Sequence, residues 1–489
     1  MNSLGGENNY RGILKGTVAF GGVQFFQIIV NLIRGKFVAL FLGPNGMGIS
    51  SLYNVAGNTL CQFASLGLNL AIVKEIAVNK ENKESLAKIV TLSRKLILCT
   101  AILGAFICII FSPLLSKLTF GTTGYTMGFI ALSIMVFFTV LGGGEMSILQ
   151  GLHYVKPLSF ASLIGASVGL IAGVPLYYFY GIGGIVPAMI ILSVSMFVFY
   201  YYSIRRNIKF DKIKIIIKEN KESIKNLISM GLTLLAGVMM GTVANYVLNN
   251  IIRIFGSIEN VGLFQAANSI ANQYVGMIFT AMALDYFPRL TAVSNDNTKM
   301  RVVVNRQIEV VLTLIAPIVC LLILTSPLII QLLLTDSFYP ILPLMRWMGI
   351  GIIFRALSFP MGYISFSKGN KKLFLWTEGI LGNTFNLIIG GTMYYIFGLI
   401  GLGISIVVVY IIMNILYYLT NHHYYNYSID LRILKDSFIF IFLPILVFVG
   451  SFIKIIWLSY FIMGVMSIFM CFISFRKLRR MFSVKDKIL

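Results

Sequence analysis

Charged residues are scarce in this chain of 489. Asp, Glu, Lys and Arg make up 11% of it, against about 25% in ordinary soluble domains. With 58% hydrophobic residues and a mean hydropathy of +0.87, the composition excludes a water-soluble globule and requires a solvent that is largely lipid. Acids are rarer still, 17 against 39 Lys and Arg, which leaves a net charge of +22. Histidine occurs three times, as His153, His422 and His423, all in segments read as loops, so zinc chemistry is not expected. The five cysteines, Cys61, Cys99, Cys108, Cys320 and Cys471, fall in apolar segments without C-x-x-C spacing and read as packing residues. H-E-x-x-H and P-loop motifs are missing, and the loops on one side of the membrane are only a few residues long. That argues against an enzyme, which would need a place for catalytic groups.

What the chain has is apolar length. Fourteen runs lie near 16–42, 47–73, 96–116, 125–152, 157–180, 182–204, 227–255, 260–288, 310–334, 340–366, 373–397, 399–420, 434–453 and 455–475. Each is long enough to span a bilayer as a helix, which takes about 20 residues. Continuous apolarity excludes a barrel of alternating strands, and the first run is too long for a signal h-region, so it is expected to remain as the first span. The fold class is therefore an all-α polytopic membrane protein of about fourteen transmembrane helices. Alternate loops concentrate the positive charge, 32 of the 39 basic residues against two on the other side, with five inside spans. The positive-inside rule then places both termini in the cytoplasm. The +22 serves orientation and contact with anionic lipid, not nucleic acid.

A basic segment after the sixth run divides the chain into a six-helix lobe over 1–204, a linker over 205–226, a second six-helix lobe over 227–425, and a helix pair with a basic tail over 426–489. A shift of 214 positions superposes Asn31 on Asn245, Gly48 on Gly262, Asn54 on Asn268 and Asn58 on Asn272. This predicts a duplication with pseudo-two-fold symmetry, a common transporter construction in which the substrate path lies between the halves.

Polar residues recur at helical spacing inside the runs. Asn54, Asn58, Gln62, Ser65 and Asn69 share one face of the second run, and Gln265, Asn268, Asn272, Gly276 and Thr280 one face of the eighth. Gln24, Gln27, Asn31 and Arg34 align in the first, and Asn245, Asn249 and Arg253 in the seventh. Such stripes either line a watery passage or bond neighbouring helices. The five intramembrane cations are Arg34, Lys36, Arg253, Arg346 and Arg355. Arg355 sits near mid-span, whereas Arg253 and Arg346 lie near ends where they could snorkel. Arg34 and Lys36 are about 200° apart on their helix, and periodicity favours Arg34 for the cavity. The buried acids Glu145, Asp285 and Glu378 are candidates for ion coupling or for neutralising a buried cation, Glu145 more for the latter. A cationic excess favours an anionic head group, and diphosphate suits arginine through bidentate hydrogen bonds.

The stretch GKFVALFLGPNGMGISSLYNVAGNTLCQFASLGLNLAIVKEIA, residues 35–77, resembles the opening of Wzx-type O-antigen and enterobacterial common antigen translocases of the polysaccharide transporter family. QGLHYVKPLSF (150–160) and FPMGYISFSKGNKKLFLWTEG (359–379) look like that family's turns after its fourth and tenth helices. The resemblance covers roughly residues 10–420 and implies a flippase working by alternating access. It implies that undecaprenyl-diphosphate-linked oligosaccharide moves from the cytoplasmic to the periplasmic leaflet of a bacterial inner membrane. By matched position Lys36 corresponds to a basic residue of a G-K pattern, Arg355 to a basic residue of the tenth helix, and Glu378 to an acid of the eleventh. Resemblance thus favours Lys36 where periodicity favoured Arg34. No organic cofactor or metal is implied, and a proton or sodium ion is the only coupling species considered. Expected partners are the lipid-linked oligosaccharide, membrane lipids and the polysaccharide polymerase machinery, with the chain itself a monomer. The competing readings are a drug or cation antiporter of the same superfamily, centred on Asp285 or Glu378, and a membrane-embedded glycan-processing enzyme.

Overall fold

Residues 5–207 and 221–485 are described by a computed structural model. Side chains are described from Phe26 onward, apart from positions in the eighth, ninth and fourteenth helices and the end of the last. Most of the linker and the side chains of Gln24 and Asn272 thus lie outside the described residues. Lipid offers no hydrogen bonds to a bare backbone, so spans close their own as helices, and the fourteen apolar runs lie almost wholly in helix. In chain order these are α1 (Gly5–Ser65), α2 (Leu68–Asn79), α3 (Lys83–Ile110), α4 (Ser112–Phe120), α5 (Thr126–Gly151), α6 (Val155–Tyr180) and α7 (Ile185–Asn207), then α8 (Lys221–Phe255), α9 (Ile258–Ala292), α10 (Asn297–Leu333) and α11 (Leu342–Ser367). The short α12 (Lys371–Phe374) leads through a π-helical stretch, Leu375–Gly382, into α13 (Asn383–Tyr425), followed by α14 (Leu431–Gly450) and α15 (Ile456–Lys485). The chain is an all-α polytopic membrane protein.

Two of these helices hold two spans each. At Gly43 (φ 63°), just before Pro44, α1 reverses, and at Gly398 (φ 60°) α13 does the same. Both turns use the left-handed region that only glycine enters cheaply. A third break corrects the sequence reading. Leu66 and Gly67 both take positive φ, so the second run is interrupted and Asn69 does not continue the helical face of Asn54, Asn58, Gln62 and Ser65. The cause is a close approach, since a Cβ on Gly67 would stand 2.1 Å from the carbonyl oxygen of Gly231 in α8. His422 and His423 also depart from expectation, because α13 runs past its apolar stretch to Tyr425 and holds both in its last turn.

By compactness the chain divides into Met1–Gly262 and Leu263–Leu489. In the first unit α3 packs on α5, α5 on α7, and α6 on both α1 and α7. Gly165, Gly169 and Gly173 make a flat seam on α6 that receives Met196, Leu192 and Ala188 of α7, four residues apart on each helix. Small residues at that spacing let membrane helices approach closely. The seventh span, α8, which the sequence reading assigned to the second lobe, packs here against α1, α2 and α4. In the second unit α11 packs on α10 and α13. Asn414 donates to the Phe354 carbonyl (2.8 Å) and Asn421 to the Met361 carbonyl (3.0 Å), one bond every seven residues on both helices. The last pair, α14 and α15, leans on α10 through the Lys477–Glu309 ion pair at 2.8 Å, and α14 meets α11 in the Trp347–Phe448 ring contact at 4.6 Å.

One contact obeys the 214-residue offset. A Cβ on Gly48 would lie 1.9 Å from the Ile258 carbonyl oxygen, and a Cβ on Gly262 would lie 1.9 Å from the Pro44 carbonyl oxygen. Positions 44 and 258 are separated by the same 214 residues as the two glycines. Gly48→Ala and Gly262→Ala are each expected to destabilise the protein by about 1–3 kcal/mol through overpacking. Gly57→Ala, whose Cβ would meet Met135 Sδ at an ordinary 3.5 Å, should be tolerated. Thermal unfolding of the three variants in detergent checks this.

Candidate functional site

In the first unit the titratable residues of the spans are mostly committed to neighbours. Glu145 of α5 is 6% exposed and receives both arms of Arg94 from α3, Nε to Oε1 at 2.8 Å and Nη2 to Oε2 at 2.7 Å. Arg94 also lies 5.5 Å from the centre of the Tyr201 ring, which Arg205 approaches to 4.8 Å. The sequence reading missed Arg94 because it precedes the apolar run at 96; α3 begins at Lys83 and carries it into the packed region. Arg253 of α8 donates to the Leu118 carbonyl at 3.2 Å. That carbonyl belongs to the last turn of α4, where the helix dipole favours a cation.

The asparagines of this unit divide. Asn249 is fully buried and donates to the carbonyl (2.7 Å) and side-chain oxygen (3.0 Å) of Asn245. Asn54 donates to the Ser50 carbonyl at 3.0 Å. Asn31, Asn58 and Asn245 are exposed, as is Lys36. Arg34 is half-buried, and its charge acts on Tyr177 of α6. Arg34 and Lys36 therefore occupy different surroundings, as their angular separation requires.

In the second unit Arg346 and Arg355 lie nine residues apart on α11, half a turn around its axis. Arg346 faces the last helix pair, where it donates to the Ser451 carbonyl at 3.4 Å and bonds Tyr460. Arg355 faces α9 and α13, with its guanidinium carbon 4.9 Å from the centre of the Phe279 ring and 6.0 Å from that of Tyr410, a cation–π geometry. Glu378 stands on the π-helical stretch and is exposed. It fits against Gly362, where a Cβ would come within 2.8 Å of Oε1 and 3.4 Å of the Tyr417 ring. Arg355 and Glu378 both act on the hydroxyls of Tyr363 and Tyr410. These two charges, from consecutive spans, thus flank the same two tyrosines. Asp285 is paired with Arg289 one turn along α9, both exposed, and Asn268 is half-buried.

The tyrosines are what sequence reasoning overlooked. Tyr410, Asn414, Tyr417 and Asn421 fall at steps of four, three and four, a single helical face that the spacing alone would have shown. This arrangement offers a guanidinium suited to an anionic group and a carboxylate with phenols suited to hydroxyls.

The fold is that of membrane transporters. The lipid II flippase MurJ in an inward closed conformation superposes with a TM-score of 0.68 at 16% identity, covering 96% of this chain and 99% of that one. An inward-facing multidrug resistance MATE transporter of the MOP superfamily gives 0.68 at 17% identity, covering 82% of this chain and 97% of its own. Residues 37–343 match the sequence model of the polysaccharide biosynthesis protein family, and the chain belongs to that family. The lipid III flippase of Escherichia coli K12 is 22% identical over 367 residues, 72% of this chain and 84% of the relative.

Removing Arg94 would strand the buried Glu145 carboxylate. Arg94→Ala is expected to cost about 3 kcal/mol, while Arg94→Met with Glu145→Leu recovers most of the loss. A double-mutant cycle by thermal unfolding measures both.

Proposed function

We propose that this protein is a flippase that carries undecaprenyl-diphosphate-linked oligosaccharide, a surface polysaccharide repeat unit, from the cytoplasmic to the periplasmic leaflet of a bacterial inner membrane by alternating access. Membership of a polysaccharide biosynthesis family, likeness to a lipid III flippase over most of that relative's length, and a MurJ-like fold support the reading. The observation that carries it is Arg355 deep in α11. It is a cation in an apolar span with the rings of Phe279 and Tyr410 beside it, and a bidentate guanidinium there would hold the diphosphate. Arg34, Lys36, Asn31, Asn54, Asn58 and Asn245 in the first unit, and Asn268 in the second, are further candidates for contacting the substrate. Arg253, Arg346 and Glu145 have structural partners and are given supporting roles. In this reading the organisation is two duplicated lobes over 1–204 and 227–425, working as a monomer with both termini cytoplasmic.

A second reading, a cation antiporter of the same fold, is favoured by the exposed carboxylate of Glu378. It requires resistance to cationic dyes that is lost in Glu378→Gln.

Depletion of the protein should cause undecaprenyl-diphosphate oligosaccharide to accumulate, read by mass spectrometry of extracted lipids. Arg355→Ala should abolish surface glycan while the protein still inserts at normal abundance. Normal surface glycan in that strain would refute the assignment of Arg355.

A further inference from the structure

Beside Arg355 runs an unbroken row of aromatic rings. From Phe279 of α9 it passes to Phe359 of α11 at 4.8 Å between ring centres, then to Tyr363 at 5.1 Å. It continues to Phe287 of α9 at 6.1 Å, Phe366 at 4.9 Å and Phe374 of α12 at 4.9 Å. Along α11, the eleven residues from Arg355 to Phe366 cover about 16 Å. Phe279 is buried, but Phe359, Tyr363, Phe287 and Phe374 are half-buried and Phe366 is exposed. The rings therefore present a surface as well as packing two helices together.

The charges on this face show what it borders. Glu378, exposed, fits against Gly362 and acts on Tyr363 in the middle of the row. Asp285 and Arg289, both exposed, flank Phe287 on its own helix, and Lys371 and Lys372 are exposed beside Phe374. Ionised groups among apolar spans are costly against hydrocarbon and turn towards water. The aromatic row therefore borders ionised groups along its length.

A pyranose ring matches such a surface. One of its faces carries C–H groups, which the electron-rich face of an aromatic ring attracts, and its rim carries hydroxyls that need hydrogen-bonding partners. We propose that the row from Phe359 through Tyr363 to Phe366 is a saccharide subsite. Sugar rings of the lipid-linked oligosaccharide stack on these side chains while Glu378 and the Tyr363 hydroxyl bond their hydroxyls. The inference rests on the transport reading, with the diphosphate at Arg355, and extends it by assigning the sugars a place of their own.

The test uses the full chain in lipid nanodiscs with two probes, undecaprenyl diphosphate and a synthetic undecaprenyl-diphosphate trisaccharide. Wild type should bind the trisaccharide lipid at least tenfold more tightly. Phe359→Leu with Tyr363→Leu keeps apolar volume but removes the ring faces. It should erase that preference and leave undecaprenyl diphosphate affinity unchanged. Should the double variant fail to fold, Phe366→Trp decides, because its fluorescence should shift with the trisaccharide lipid and not with undecaprenyl diphosphate. A preference that survives in the double variant, equal weakening for both lipids, or an indole that ignores the sugars overturns the subsite. Binding of both lipids without discrimination in wild type also overturns it but leaves the transport reading standing. Failure to bind either lipid removes both.

Discussion

Hydrocarbon satisfies no hydrogen bonds, and that constraint governs this structure from backbone to charged side chain. It makes each apolar run a helix, and it makes departures from helix expensive enough to need local reasons. The departures are few among the described residues. Glycine reverses the chain at Gly43 and Gly398, a left-handed pair at Leu66 and Gly67 gives way where another backbone passes, and one π-helical stretch carries Glu378. Each marks a turn, a crossing or an ionisable group.

Charged side chains obey the same rule. Glu145 is buried only because Arg94 meets it with two hydrogen bonds. Arg253 uses the exposed carbonyl end of a short helix, and Arg346 secures the last helix pair through a carbonyl and a phenol. Arg355 lies against the rings of Phe279 and Tyr410, which stabilise a cation through their faces.

Much of this was legible in the residues. Fourteen apolar runs became helices, for the most part, because length and apolarity decide that outcome, and the polysaccharide-family resemblance of residues 35–77 agrees with the family to which the chain belongs. Single residues were harder. Apolar runs mark where lipid lies, not where a helix begins, so Arg94 was assigned to a loop although α3 carries it inward. Helical periodicity assumes an unbroken helix, so Asn69 was counted on a face that ends at Ser65. Tyrosine counts as apolar when runs are sought, which hid the phenols around Glu378.

The paired glycines at 48 and 262 have a geometric consequence. Each meets the carbonyl of the residue four places before the other, so the joint is isologous, the kind normally found where two copies of a subunit meet across a two-fold axis. Here both sides of the joint come from one chain. A mutation at either position breaks one half of the joint, whereas in a homodimer a single mutation would break both. The two halves of the patch are thus free to diverge independently, yet neither can drift without the other's backbone setting the limit.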